Sequence, residues 1–333
     1  MQKVAVVGFG FMGITHAINI LKHESLKLVA IVDKDVNGIE SKLTSTSGNF
    51  STGNIDPTLL SSINKYSSIE SCLESEDLDA IHICVHTDLH YDLAKKALLD
   101  GLHVFLEKPM TLDVEKGEEL VNLAADNNAT FMVGHVLRFM SPYQKLKKWI
   151  DYETHGSLRF LSMFRFSGVP GWGQWKEKQI AYGSSGGALF DLLIHDIDYV
   201  NYLFGSPDKI DSKYMPGALS DYDYISAFWE YEKSGIKVKL EGGNTFHSTF
   251  PFQAGFMANF ENSSVFYTTL KPDVIQVANN DEMKEVVADD GGDGFYNEIA
   301  YFYECIERNI KPKKCLPESS LETIKLCYRH LNK

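Results

Sequence analysis

A glycine-rich hexapeptide at residues 8–13, with the sequence GFGFMG, constrains the fold of this chain most strongly. It follows the apolar run KVAVV and precedes a helix-like apolar stretch at residues 14–21. Strand, glycine turn and helix in this order are the setting of the dinucleotide-binding fingerprint, whose glycines allow a tight turn, a close approach to a pyrophosphate and close helix–strand packing. The helix N-terminus offers N–H groups and a positive dipole end to the anion. The predicted cofactor loop consists of Gly8, Phe9, Gly10, Phe11, Met12 and Gly13.

An acidic residue after the second apolar run indicates which dinucleotide is bound. Asp33 lies 20 positions after Gly13, where a carboxylate accepts hydrogen bonds from ribose hydroxyls and repels a 2'-phosphate. NAD is therefore the predicted cofactor. Lys34, directly after Asp33, would weaken that repulsion, so NADP stays open as the alternative.

The first 133 residues alternate short apolar runs with helix-periodic segments, which is the pattern of a parallel sheet with helices on its faces. The predicted strands are 3–7, 28–32, 80–85, 103–106 and 130–133. Residues 41–68 are rich in Ser, Thr, Asn and Gly, which indicates a surface excursion at the sheet edge. We expect residues 1–133 to form a dinucleotide-binding domain of the doubly wound, Rossmann type.

The second half of the chain has a different pattern. Strand-like runs at 158–166, 222–231, 236–240, 253–260 and 264–269 predict one antiparallel sheet with a polar and an apolar face. Helix-like segments accompany it at 142–151, 188–204, 295–309 and 319–330. A length of 333 residues suits two domains. We therefore expect an α+β domain at residues 134–333 that binds substrate and forms oligomers, and an α/β fold class for the whole.

The tripeptide Glu107-Lys108-Pro109 follows the apolar strand, and ligands of open parallel sheets bind beyond the carboxyl ends of the strands. Pro109 restricts Lys108 to an extended conformation, which sets the direction of its side chain. Beside an oxidised nicotinamide, burial and like charge would favour the neutral amine and bring Lys108 towards the range of a general base. A surface lysine in a turn is the alternative for this tripeptide taken alone.

Asp191 and His195 lie four residues apart in the helix-like segment GGALFDLLIHDIDYVNYLF, and Asp198 falls on the same predicted face. An imidazole can take or return the proton of a secondary alcohol while a carboxylate fixes its tautomer. A core histidine that is hydrogen-bonded to its neighbour is the alternative. The cofactor loop and the strand-end lysine favour the catalytic interpretation.

Other groupings are weaker. His82, His86 and His90 are spaced by four, but His82 lies in a strand-like run, so we expect no metal there; nor do we expect one at His195 with Asp196 and Asp198. Trp172 and Trp175 in GVPGWGQWKEK would either form an aromatic wall for a sugar ring or pack a loop.

Charge and cysteine content limit the partners and the compartment. Forty-five acidic residues against 32 basic residues give a net charge of −13, which disfavours nucleic acid and acidic membrane surfaces as partners. The five cysteines are scattered and contain no CxxC pair, as in reduced cytoplasmic proteins. The segment MQKVAVVGFG lacks a signal-peptide core, and no run approaches about 18 apolar residues. We expect a soluble cytoplasmic protein.

With these motifs assembled, the chain resembles the glucose-fructose oxidoreductase, inositol dehydrogenase and MocA family of NAD(P)-dependent enzymes over nearly its whole length. The resemblance rests on GFGFMG, Asp33, HTDLHYDLAKKALLDGLHVFLEKPM at 86–110, GHVLRF at 134–139 and GGALFDLLIHDID at 186–198. It implies that Lys108, Asp191 and His195 line a catalytic pocket.

The resemblance also implies supporting roles and an assembly. Thr87, His90 and Glu107 match positions near the cofactor, and His135 and Arg138 point to sugar or nucleotide-sugar substrates. Independently of the resemblance, Trp172 is a candidate for contact with the sugar ring. The second domain would be an open-faced mixed sheet that forms the interface of a homodimer or homotetramer.

The sequence therefore supports the hypothesis of an NAD(P)-dependent dehydrogenase for a sugar, an inositol or a nucleotide sugar. Lys108 and His195 would receive the proton of a secondary hydroxyl as hydride passes to nicotinamide, and Asp191 would orient His195. Two alternatives stay open, namely a glycosidase that oxidises the sugar ring transiently and an NAD-binding sensor without turnover.

Overall fold

The computed structural model describes residues 1–46, 55–169, 186–288 and 291–332. Contacts divide the chain into two compact units. One comprises Met1–Gly134 with Phe295–Leu321, and the other His135–Gly294 with Glu322–Lys333. The sequence alone assigned the segment after residue 294 to the second half, and the functional division at residue 133 stays a prediction.

The first unit contains a six-stranded parallel sheet in the order β3-β2-β1-β4-β5-β6. The predicted Rossmann-type sheet is thereby confirmed, because the strand order reverses between β1 and β4. Its strands are β1 (Gln2–Val7), β2 (Leu26–Val32), β3 (Asn64–Tyr66), β4 (Ala80–Ile83), β5 (His103–Glu107) and β6 (Phe131–Gly134).

Helices cover this sheet, and its central strands are buried as parallel strands require. They are α1 (Phe11–Lys22), α2 (Ile39–Ser45), α3 (Pro57–Ser61), α4 (Ile69–Ser75), α5 (His90–Leu99) and α6 (Val114–Asp126). The interpretation of residues 41–68 as a surface excursion needs correction in part. Residues 57–61 form a helix and β3 is the edge strand of the sheet, which a polar three-residue strand does not reveal in sequence.

The second unit contains an eight-stranded sheet in the order β14-β13-β12-β11-β7-β10-β9-β8. The expectation of a purely antiparallel sheet was wrong, because β7 and β10 pair in parallel. The mixed sheet implied by the family resemblance is what the structure has. Its strands are β7 (Leu158–Gly168), β8 (Lys209–Met215), β9 (Tyr224–Glu230), β10 (Lys237–Phe246), β11 (Gln253–Phe260), β12 (Ser264–Thr268), β13 (Val274–Ala278) and β14 (Met283–Val287).

The remaining α-helices of the described residues are α7 (Ser141–Asp151), α8 (Ile194–Phe204), α9 (Gly294–Glu307) and α10 (Pro317–His330). A π-helical turn at Leu189–Leu193 leads directly into α8. Within the described residues, no helix combines the length and the hydropathy that crossing a lipid bilayer requires.

Candidate active site

The glycine loop has the backbone geometry that a dinucleotide needs. Gly8 has φ +87°, and a Cβ there would lie 2.7 Å from the carbonyl oxygen of Cys84. A Cβ on Gly13 would lie 1.8 Å from the carbonyl oxygen of Gly8. Neither position tolerates a side chain, so these two glycines are required by the packing of β1, α1 and β4.

Gly10 differs from the other two glycines of the loop. A Cβ at Gly10 would meet no atom of the described residues within 4 Å, and its φ of −90° suits other residues. The fold alone therefore does not demand glycine here. Gly10 is the N-cap of α1, and as a glycine it has no side chain of its own to cap this helix end. The loop fits a pyrophosphate that approaches Gly10 and accepts hydrogen bonds from the first N–H groups of α1.

Asp33 lies at the carboxyl end of β2 and is bound more tightly than the sequence suggested. One carboxylate oxygen accepts a hydrogen bond from the backbone N–H of Phe9 (2.8 Å), and the other accepts from the N–H of Asp35 (2.9 Å) and from Nζ of Lys42 (2.7 Å). Burial acts to raise the pKa of Asp33, but the Lys42 ammonium and the two N–H groups lower it below its usual value. The carboxylate is thus ionised. Lys42, not the exposed Lys34, is the cation that compensates it.

The Glu107-Lys108-Pro109 tripeptide begins at the last residue of β5. Glu107 is buried, the Lys108 side chain is half-buried, and the Lys108 N–H donates to Oε2 of Glu107 at 3.2 Å. The Lys108–Pro109 peptide bond is cis. His90 is buried under this turn, with Nδ1 2.7 Å from the carbonyl oxygen of Pro109. His90 thus supports the turn that carries Lys108, and its contact with the cofactor stays a prediction.

Thr87 begins the 3₁₀ turn Thr87–Leu89 that leads into α5, beyond the end of β4. It is half-buried at the carboxyl edge of the sheet. This position fits the cofactor contact predicted for Thr87, which no observation here tests.

Asp191 and His195 stand out from their surroundings in the second unit. Between Ala188 and Asn201 every other residue is buried, whereas these two are partly exposed. Asp191 lies inside the π-helical turn and His195 lies one residue into α8. A π turn widens the helix and is frequent at functional sites. The two polar side chains therefore share an accessible strip on an otherwise buried helix.

The other two aspartates of this helix have structural partners. Asp196 accepts hydrogen bonds from Nε and Nη2 of Arg165, at 2.7 and 3.2 Å. Asp198 accepts two from Arg138, at 2.8 and 2.5 Å, and one from the Thr323 hydroxyl at 3.0 Å. Asp198 therefore does not share the accessible strip of Asp191 and His195.

Both substrate-recognition candidates of the GHVLRF motif are buried against Asp198. His135 Nδ1 lies 3.4 Å from Oδ1 of Asp198, and the Arg138 guanidinium also covers the ring of Tyr202 at 4.9 Å. This geometry supports a structural role for Arg138, and its substrate contact stays a prediction. Trp172 and Trp175 lie outside the described residues.

The sequence did not reveal a group of buried polar side chains near Glu107. Among the described residues, one imidazole nitrogen of His16 and one carboxylate oxygen each of Glu107 and Glu298 lie within 4.8 Å of one another. His16 also contacts His82. One feature of the sequence could have indicated this group. His82 lies within the apolar strand run 80–85, and a buried imidazole needs a polar partner.

Two family models match the chain. The model described as "Oxidoreductase family, NAD-binding Rossmann fold" matches residues 2–135, and the "GFO/IDH/MocA C-terminal domain" matches residues 143–274. The chain belongs to this family. The resemblance inferred from the motifs is therefore confirmed.

Individual relatives of the family extend over most of the chain. Inositol 2-dehydrogenase of Rhizobium meliloti is 24% identical over 323 residues, which cover 93% of this chain and 90% of that protein. D-glucoside 3-dehydrogenase of Escherichia coli is 25% identical over 316 residues, covering 86% and 83%. The match to three uncharacterized oxidoreductases covers only about half to two thirds of their length, at 52%, 63% and 51%.

A solved structure shows the same fold. UDP-N-acetylglucosamine 3-dehydrogenase from Acidithiobacillus ferrooxidans matches with a TM-score of 0.78 at 18% identity, covering 99% of this chain and 96% of that chain.

Proposed function

We propose that this member of the Gfo/Idh/MocA family is an NAD(P)-dependent dehydrogenase that oxidises a secondary alcohol of a cyclic polyol, or reduces the corresponding ketone. The observation that carries the proposal is the accessible Asp191/His195 strip on an otherwise buried helix. The glycine loop adds a site that fits a dinucleotide, and Lys108 lies at the carboxyl edge of the same sheet.

The protein side chains carry the proton and the positioning. Lys108 and His195 together receive the hydroxyl proton of the alcohol, and the Asp191 carboxylate orients the imidazole of His195 and stabilises it when protonated. The bound nicotinamide supplies the hydride acceptor.

The substrate class follows from chemistry that the relatives share. Their names specify an inositol and a glucoside, which are ring compounds with several secondary hydroxyls. A proton-accepting pair and a hydride acceptor are what oxidation of one such hydroxyl needs. We therefore propose an inositol, a sugar or a nucleotide sugar as substrate.

The environment of Asp33 favours NAD, because an ionised carboxylate at this position accepts hydrogen bonds from ribose hydroxyls and repels a 2'-phosphate. The Lys42 ammonium, whose Nζ lies 2.7 Å from Oδ1 of Asp33, reduces that repulsion. NADP is thus a weaker second cofactor in this proposal. All five cysteines are buried and none is part of a disulfide among the described residues, which fits the proposal of a reducing, cytoplasmic compartment.

We also propose that the sheet of the second unit forms a homodimer or homotetramer interface. One face of β7 buries Leu161, Met163 and Arg165, while the other presents a row of half-buried aromatic rings. Ring pairs on that open face are Phe160–Phe228 (6.4 Å), Phe164–Phe266 (6.3 Å) and Phe166–Tyr224 (6.4 Å) between centroids. A contiguous exposed apolar patch of this kind marks an interaction surface.

The proposed activity is tested with purified protein, NAD or NADP, and a panel of inositols, sugars and nucleotide sugars. The expected result is formation of one NADH or NADPH per ketone product, followed by absorbance. Release of sugar without net change in nucleotide would instead support the glycosidase alternative. Nucleotide binding without any turnover would support the sensor.

A further inference from the structure

A chain of four buried polar side chains crosses the first unit and ends at Glu107. The Tyr303 hydroxyl lies 2.9 Å from His82 Nε2, His82 Nδ1 lies 2.7 Å from His16 Nδ1, and His16 Nε2 lies 2.9 Å from Glu107 Oε1. None of the four is more than 6% exposed. Each comes from a different element, namely α9, β4, α1 and β5.

The donors and acceptors of this chain can be ordered. In the described part of the protein, the hydrogen bond of the Tyr303 hydroxyl is the one to His82, so the buried O–H donates to Nε2. Burial and the neighbouring His16 hold the pKa of His82 well below its usual value, so His82 is neutral and its proton is on Nδ1. His82 therefore donates to Nδ1 of His16, and His16 donates from Nε2 to Glu107.

The last acceptor is an ionised carboxylate. Burial acts to raise the pKa of Glu107, but the hydrogen bond from His16 and the nearby charges lower it below its usual value. Its other oxygen accepts the N–H of Lys108 at 3.2 Å. The hydrogen-bond chain is thus connected to the backbone of Lys108 at the carboxyl edge of the sheet.

Aromatic packing holds the side chains of this hydrogen-bond chain in one arrangement. The His82 ring stacks on Phe105 with centroids 4.9 Å apart and an interplanar angle of 3°, and it lies 5.8 Å from the Tyr303 ring at 17°. The His16 ring meets both His82 and Phe105 edge-on at 5.0 Å. Since Tyr303 is 1% exposed, this end of the chain does not reach solvent. The arrangement suits a fixed support rather than a route for protons.

We propose that His16, His82 and Tyr303 are positioning residues that hold Glu107 as an anion against the turn carrying Lys108. This inference rests on the proposed function for its catalytic consequence only. For stability alone, well-packed apolar side chains would serve this core equally well, because desolvating polar groups offsets much of the energy that their hydrogen bonds return. The direction of the bonds and their end point at Glu107 give the chain its specific role.

The first test measures the tautomers directly, without turnover. Protein with ¹⁵N-labelled histidine is examined by NMR, and the signals of His16 and His82 are assigned with His16→Gln and His82→Gln. We expect the proton of His82 on Nδ1 and that of His16 on Nε2. In Tyr303→Phe the Nε2 signal of His82 moves, because its donor is gone. Tyr301→Phe, the same change on the same helix, leaves it in place.

A second test links the chain to activity. Tyr303→Phe is expected to lower kcat about tenfold to a hundredfold with little change in the Kd of NAD, because a displaced reacting group costs rate more than binding. Tyr301→Phe keeps wild-type kcat.

Three results would overturn the proposal. They are His82 protonated on Nε2 in the wild type, unchanged histidine signals in Tyr303→Phe, and stoichiometric metal in the purified protein that is lost in His16→Gln. Absence of dehydrogenase turnover in the wild type would contradict the proposed function alone, because the tautomer measurement does not depend on it.

Discussion

Asp33 and Lys42 form the ion pair to which we assign the proposed preference for NAD over NADP. The salt bridge is 2.7 Å long and only 8% of the Asp33 side chain is exposed, so solvent screens the interaction less than at the surface. Sequence reasoning placed Asp33 correctly at the end of β2 but assigned the compensating charge to Lys34. Lys42 is nine positions away, and its reach depends on the direction of α2, which no local pattern encodes.

We predict that Lys42→Ala shifts cofactor preference further towards NAD. Removing the ammonium leaves the carboxylate uncompensated, so a 2'-phosphate meets stronger repulsion. The ratio of kcat/KM for NADP to that for NAD should fall about tenfold, or about 1.4 kcal/mol. Lys34→Ala is the matched control and should leave the ratio near the wild-type value. If both variants changed the ratio equally, the cofactor preference would depend on net charge and not on the Asp33–Lys42 pair.

The glycine loop shows at the element scale how fold and ligand place different demands on one motif. We predict that Gly10→Ala keeps the free energy of unfolding within about 1 kcal/mol, since a Cβ there meets open space. The same change should weaken NAD binding more than about tenfold, because the methyl group occupies the approach of the pyrophosphate. Calorimetry and denaturant unfolding measure the two effects.

Gly13→Ala is the comparison variant for this loop. Its Cβ would lie 1.8 Å from the carbonyl oxygen of Gly8, so the variant should lose stability as well as binding. Tight NAD binding by Gly10→Ala would show that the pyrophosphate does not approach this residue.

The link between the GHVLRF segment and α8 is a buried ion pair. Burial acts to raise the pKa of Asp198, but the Arg138 guanidinium, His135 and Thr323 hold it below its usual value. A carboxylate with a depressed folded-state pKa contributes stability above the unfolded value of about 4. That contribution is lost as the pH falls through the folded-state pKa.

We predict that Asp198→Asn destabilises the protein by about 3–5 kcal/mol at neutral pH, because it leaves a buried guanidinium without its anion. The double variant Arg138→Met/Asp198→Leu should recover part of that loss. Urea unfolding from neutral to acidic pH measures both, and the difference between wild type and Asp198→Asn should shrink in acid. If Asp198→Asn had the same free energy of unfolding as the wild type, the ion pair would not have the structural role assigned to it.

Sequence patterns were most informative where burial is regular. The apolar runs of β1, β2, β4, β5 and β6 predicted the central parallel sheet because both of its faces are covered. Four strands were missed, namely β3, β8, β13 and β14. β3, β8 and β14 lie at sheet edges and are short or exposed, so they carry little apolar alternation, and β13, next to the edge, has only five residues. The π turn before α8 was also hidden, because a four-residue spacing of polar side chains looks the same in sequence with or without it.

At the scale of the whole molecule, the open face of the second sheet sets the expected assembly. We predict that the double variant Phe228→Glu/Met257→Glu dissociates the oligomer, because both side chains are exposed on that face, at 39% and 47%. The dissociation constant should rise at least about a hundredfold. Light scattering gives the mass. Leu99→Glu, at an exposed leucine of the first unit, is the control. A wild type that is monomeric at high concentration would contradict the proposed interface.

The central claim is that Lys108, Asp191 and His195 act together in moving hydride and proton between a secondary alcohol and nicotinamide. The most direct measurement uses a polyol substrate with deuterium on the carbinol carbon, and mass spectrometry of the nucleotide after turnover. The account predicts one deuterium in NADH per ketone formed, with Lys108→Ala and His195→Ala slowing the transfer about a thousandfold or more while NAD affinity is kept. Nucleotide without deuterium, or wild-type rates in both variants, would contradict it.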